Sequence, residues 1–147
     1  MTTAPDADRL EVWRAFLLGH AAIVRMLSRE LHDFRQLPLT WFEVLDALQG
    51  QGGQLRVMEL AERVMVHPSS LSRQIDGLEG AGFVIREKLN EDDNRAVVVS
   101  ITKSGRDTWR GASTVYHRIV KRAFTNQLTD TDVIALHRIF TKVLDAQ

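Results

Sequence analysis

The sequence predicts a mainly α chain with one small β-hairpin, and three observations carry that prediction. Two short helical stretches, Glu59 to Val64 and Pro68 to about Gly80, are joined by only three residues, Met65 to His67. Two runs rich in β-branched residues, Phe83-Val84-Ile85 and Val97 to Ile101, flank a charged segment from Arg86 to Arg95, the pattern of a hairpin with a solvated tip. Long apolar seams at helical spacing occupy both ends of the chain.

Taken in order, residues 1–7 form a small polar tail and residues 8–35 a helix of about 40 Å at 1.5 Å per residue. Leu10, Trp13, Leu17, His20, Val24, Leu27, Leu31 and Phe34 recur in steps of three and four, and Val12, Phe16, Ile23 and Met26 widen the face. A face that wide calls for two partners, here the chain's own lobe and a second subunit. Leu37-Pro38-Leu39 ends the helix, and Thr40 with Glu43 reads as a capping box opening the next one, whose buried face is Trp41, Val44, Leu45 and Leu48. Gly50 to Gly53 stops it, leaving Gln54 to Val57 as an extended piece expected to pair with the hairpin.

The third helix, from Met58, turns Leu60, Ala61 and Val64 to one side but has no good cap. Pro68 suits the first position of the fourth, where its missing N–H costs nothing, and Gly80 and Gly82 close it. Leu71, Ile75 and Leu78 pin one face of that helix to a core. After the hairpin, Thr102 is expected to cap a helix from Lys103 to about Thr125 that buries Trp109, Ala112, Tyr116, Ile119 and Ala123, with Lys121 and Arg122 at its negative pole. Leu128 and Val133 read as a hydrophobic staple around the start of a last helix that turns Leu136, Ile139 or Phe140, and Val143 inward. The plan is one domain with a helical dimerisation lobe (8–36 and 103–147) and a central lobe (40–102).

Two helices joined by so short a turn and followed by a hairpin form a winged helix-turn-helix, a DNA-binding arrangement in which the second helix enters the major groove. His67, Ser69, Ser70, Ser72, Arg73 and Gln74 then stand at the reading end. Short hydroxyls allow close approach, and Arg and Gln match the bidentate edges of guanine and adenine. Serines at a helix start also serve as ordinary caps, so the cluster alone leaves both roles open. Arg86, Lys88, Arg95 and Lys103 are the further cations expected to face phosphate.

The stretch Asp93-Asn94-Arg95-Ala96-Val97-Val98-Val99-Ser100-Ile101-Thr102 resembles the D-x-R-x-x-x-V-x-L-T signature of the MarR family of winged-helix regulators, with Ile101 in place of the Leu. Upstream, SSLSRQIDGLEGAGFVIRE is similar to that family's recognition helix and first wing strand, and the flanking helices match its layout over nearly the whole chain. The third helix lacks the Ser or Thr that family members often show nearby. The resemblance implies a homodimeric transcription regulator, a repressor, with Arg95 entering the minor groove and Asp93 holding the wing turn. A narrow minor groove concentrates negative potential and attracts an inserted guanidinium. Two reading helices related by a two-fold axis imply a pseudo-palindromic operator in double-stranded DNA.

The resemblance also implies a cavity for a small aromatic or carboxylate effector, walled by Trp13, Phe16, His20, Trp41 and Trp109. Apolar walls with few polar groups suit such a site. A core or interface histidine and two core tryptophans are the plainer reading of the same residues.

Composition narrows the alternatives. The 147 residues include no cysteine, which excludes disulfides and thiolate metal sites. No Gly-rich phosphate loop, nucleophile elbow or His-Glu-x-x-His pair supports an enzyme, and no cofactor or metal site is expected. The absence of a long apolar run or a secretion signal points to a cytoplasmic protein with no membrane contact. Formal net charge is zero, and residues 51–105 hold seven basic and eight acidic side chains. That balance favours salt-sensitive DNA binding or, alternatively, a winged-helix protein–protein module with weak or no DNA binding.

Overall fold

The computed structural model describes residues 6–64, 66–92 and 96–147. It has six α-helices among the described residues: α1 Asp6–Arg35, α2 Leu39–Gly50, α3 Val57–Val64, α4 Pro68–Gly80, α5 Lys103–Ala123 and α6 Asp130–Asp145. Three short strands, β1 Gln54–Arg56, β2 Val84–Lys88 and β3 Val97–Ile101, form an antiparallel sheet in the order β1-β3-β2. The mainly α architecture with a small wing expected from the sequence is therefore the one observed.

The start of α1 carries Asp6 and Asp8, which suit the positive pole of the helix. Its end is closed by Gln36 in the left-handed region at φ 55°, whose N–H donates to the His32 carbonyl at 2.7 Å. At α2 the expected capping box is absent. Pro38, at φ −61° and ψ 139°, is itself the N-cap and makes no side-chain cap bond; its carbonyl accepts from the Trp41 and Phe42 amides. The helix thus begins at Leu39, and Thr40 lies inside the first turn and not at the N-cap position from which a side chain caps.

The extended piece before α3 forms β1, whose Leu55 pairs with Val99, so the wing grows out of a sheet anchored in the helical core. β2 is longer than its apolar run, because Arg86, Glu87 and Lys88 continue the ladder opposite Val99, Val98 and Val97. Alternation along β2 buries Val84 and leaves Ile85 half exposed.

Contacts divide the chain into two compact units, one holding residues up to Leu27 together with His117–Gln147, the other Ser28–Tyr116. The boundary falls inside α1 and inside α5, not in a loop. In the Ser28–Tyr116 unit, Leu48, Leu60, Leu71, Ile75, Leu78, Val84 and Val99 are buried in one cluster, each contributing about 1.5–3 kcal/mol of burial. A second cluster, Leu31, Leu37, Phe42, Ala112 and Val115, adds the stacked pair Phe42 and Tyr116, centroids 4.7 Å apart.

Two glycines set close approaches in this unit. A Cβ at Gly77, on α4, would lie 2.5 Å from the Trp41 indole, so α4 is seated on that ring; Trp41 in turn meets Phe83 edge-on. A Cβ at Gly105 would lie 2.2 Å from the Phe83 carbonyl oxygen. Thr102 caps α5 as expected, its hydroxyl accepting from the Gly105 amide at 3.0 Å and donating to the Gly82 carbonyl at 2.7 Å.

In the other unit, α6 opens with a capping box in which Thr129 and Asp132 serve each other's amides. The Thr129 amide and hydroxyl hold the Asp132 carboxyl below its ordinary range. No residue of α6 is buried in the single chain, and Leu10, Trp13, Phe16, Leu17, Ile139, Phe140 and Val143 are between 38% and 57% exposed. No helix among the described residues is long and apolar enough to cross a membrane.

Candidate nucleic-acid interface

The exposed face of α4 is the candidate interface. Its far side is fixed by buried Leu71, Ile75 and Leu78, and its end by a Schellman closure in which Gly82 (φ 79°) lets Phe83 donate to the Leu78 carbonyl at 2.9 Å. With the helix held this way, Ser69, Ser72, Arg73 and Asp76 fall in one stripe at helical spacing, and Ser70 is exposed beside them. Gln74 is half-buried on the flank.

The cap of α4 is His67. Its Nδ1 accepts from the Ser69 amide at 3.2 Å and lies 2.8 Å from the Ser69 hydroxyl. The choice between capping and reading left open for the serines is thereby divided. His67 and Ser69 build the helix start, while Ser70 and Ser72 lie on exposed surface further in.

Arg86 is corrected. Its guanidinium bonds Asp76 on α4 and reaches Glu79 at 3.3 Å, while its backbone N–H donates to the second Glu79 oxygen at 2.9 Å. The hydrogen bond to Asp76 is the largest influence raising the guanidinium pKa above its ordinary value. Arg86 thus joins β2 to α4 within the protein instead of extending toward phosphate. The sequence reading failed because it placed Arg86 in a solvated tip; strand pairing carries the residue back beside the helix. Asp76 was missed altogether. Its signal was present in Asp76 and Glu79, one helical turn apart on the helix that precedes the arginine.

Lys88, at the end of β2, and Lys103, at the start of α5, are both exposed. Asp93 and Arg95 lie outside the described residues. Before them, the Asn90 side chain accepts from the Asp92 amide at 3.1 Å and shapes the turn that leaves β2. A cleft of about 410 Å³ between α4 and the wing is lined by Ser72, Ile75, Glu79, Arg86, Lys88 and Val97 among others.

The five residues expected around an effector fall into two groups. Trp13, Phe16 and His20 form a continuous stack along α1, with centroids 5.9 and 6.3 Å apart, and Phe140 joins at Phe16. Trp41 and Trp109 belong to the other unit, where both rings pack against its core and the Trp109 indole N–H donates to Asp46 at 2.9 Å. A second cleft in that unit, about 480 Å³, is lined by Phe42, Glu43, Asp46, Arg63 and Tyr116 among others. Burial first, and then the field of Glu43 and Asp46, raise the Tyr116 phenol above its ordinary pKa.

A family model described as the MarR family matches residues 37–97, which span α2, the helix-turn-helix and the wing up to the first residue of β3. A curated relative, an uncharacterized HTH-type transcriptional regulator called YfiV from Bacillus subtilis, is 35% identical over 71 residues; that match spans 48% of this chain and 44% of the relative's length. Among solved structures, AbsC of Streptomyces coelicolor, a MarR family transcriptional regulator, superimposes with a TM-score of 0.84 at 27% identity, covering 100% of both chains. Sco3205 of the same organism, solved in complex with DNA, gives 0.87 at 24% identity, covering 99% of this chain and 91% of that one. The helix-turn-helix and wing segment thus matches the MarR family model, and the fold is shared from end to end with a MarR family regulator.

Proposed function

We propose that the protein is a homodimeric, DNA-binding transcription regulator, a repressor that holds a pseudo-palindromic operator and is released by a small aromatic or carboxylate effector. The observation that carries DNA binding is the stripe of Ser69, Ser72 and Arg73 on a helix whose opposite face is fully buried, with the wing strands beside it. Such a helix is rigidly held and presents hydroxyls and a guanidinium to a groove. The protein–DNA complex of Sco3205, which has the same fold, supports the reading.

Dimerisation is supported by the exposed apolar faces of α1 and α6, which no lone chain covers. Two reading helices per dimer would meet half-sites about 10 base pairs apart. Release by an effector is supported by the Trp13, Phe16 and His20 stack, an aromatic surface that includes one imidazole. Phenolic acids titrated against tryptophan fluorescence, with and without operator, test it. Reciprocal weakening by about 5- to 150-fold is expected, and equal affinity in both states would refute the coupling.

DNA binding is tested by mobility shift with duplexes enriched from a random-sequence pool, comparing wild type with Arg73→Ala and Arg95→Ala. Loss of Arg73 from a base contact should relax preference at one position by about 1–3 kcal/mol, and loss of Arg95 should cost most where the minor groove is narrow. Thermal stability should hold in both. Failure to enrich any duplex would favour the protein–protein alternative.

A further inference from the structure

Resting on the DNA-binding reading above, we infer that Arg86 is a positioning residue for DNA: it masks Asp76 on the reading face of α4 so that this face can approach phosphate. Asp76 continues the stripe of Ser69, Ser72 and Arg73, and its side chain is 59% exposed. An uncompensated carboxylate there would oppose the duplex, because like charges brought together across an interface are penalised. Glu79, one turn further along, is 40% exposed and adds a second negative charge.

Arg86 reaches both carboxylates from the neighbouring strand and is itself only 28% exposed. A planar guanidinium spans two carboxylates in a way the single ammonium of lysine does not. The clamp has two separable parts. The backbone N–H of Arg86 is held by Glu79 whatever side chain stands at position 86, so the strand remains tied to the helix when the guanidinium is removed. Substitution to glutamine then removes the guanidinium's charge and its bonds to the two carboxylates while leaving the backbone tie in place.

The test is a double-mutant cycle on the full-length protein with Arg86→Gln, Asp76→Asn and the pair together. The probe is a labelled duplex of about 30 base pairs enriched from a random-sequence pool by the wild type, long enough for two half-sites one turn apart. Anisotropy titrations are run at about 0.05 M and about 0.5 M salt, with melting curves for each variant.

Masking predicts that Arg86→Gln weakens binding about tenfold or more at low salt, that the loss shrinks to about threefold or less in the Asp76→Asn background, and that it fades at high salt. An equal loss in both backgrounds would mean that Arg86 contacts phosphate directly or acts only as a structural latch, and either overturns the inference. If wild type binds and Arg73→Ala weakens it while Arg86→Gln changes nothing, the inference fails and the DNA-binding reading stands. If no duplex is enriched, both fall.

Discussion

Replacing Phe16 with glutamate is expected to turn the protein into a folded monomer and to lower operator affinity by about 100-fold or more. Phe16 is 44% exposed in the single chain yet sits at the centre of an aromatic group with Trp13, His20 and Phe140. A carboxylate there would have to be desolvated against a second copy at a cost of several kcal/mol, while the apolar gain of burying Phe16, about 2 kcal/mol, is lost. The affinity consequence follows from bivalency, since two linked reading heads bind about 100- to 10,000-fold more tightly than one. Sedimentation velocity with parallel circular dichroism checks this. A variant that remains dimeric would move the interface away from this face.

Gly105→Ala is expected to cost about 3 kcal/mol and to lower the melting temperature by about 10 °C, as overpacking against an immovable neighbour does. The atom in the way is the Phe83 carbonyl oxygen, 2.2 Å from the position a Cβ would take, and that oxygen already accepts from the Thr102 amide at 3.0 Å. The Ile101 side chain, 2.8 Å away, closes the other side. Relief would require α5 to withdraw from the sheet, which breaks the Thr102 cap as well. A melting curve like that of wild type would show that the backbone has more room than these distances allow.

The parts of this protein that were legible in its sequence are those governed by periodicity and by residues with one structural use. Pro68 with Leu71, Ile75 and Leu78 fixed α4 and its buried face, and Val97 to Ile101 fixed a strand, because spacing alone decides which side such residues turn. The start of α2 was misplaced because Pro38 can itself be an N-cap, which the more familiar Thr40 and Glu43 pattern concealed. The Asp76 and Glu79 partners of Arg86 were hidden for a different reason. The partner of a charged side chain depends on strand register and helix placement, and neither is written in local composition. Gly105 was invisible for the same kind of reason, since its constraint is a contact with a residue 22 positions earlier in the sequence.

The seating of α4 on Trp41 through Gly77 bears on how freely the outward face of that helix can vary. What locks the helix lies on one side, and what faces outward lies on the other. Substitutions at the exposed Ser70, Ser72 or Arg73 are therefore expected to have little effect on folding, typically within about 0.5 kcal/mol. A side chain at position 77, by contrast, would press on the Trp41 ring and force that ring or α4 to shift.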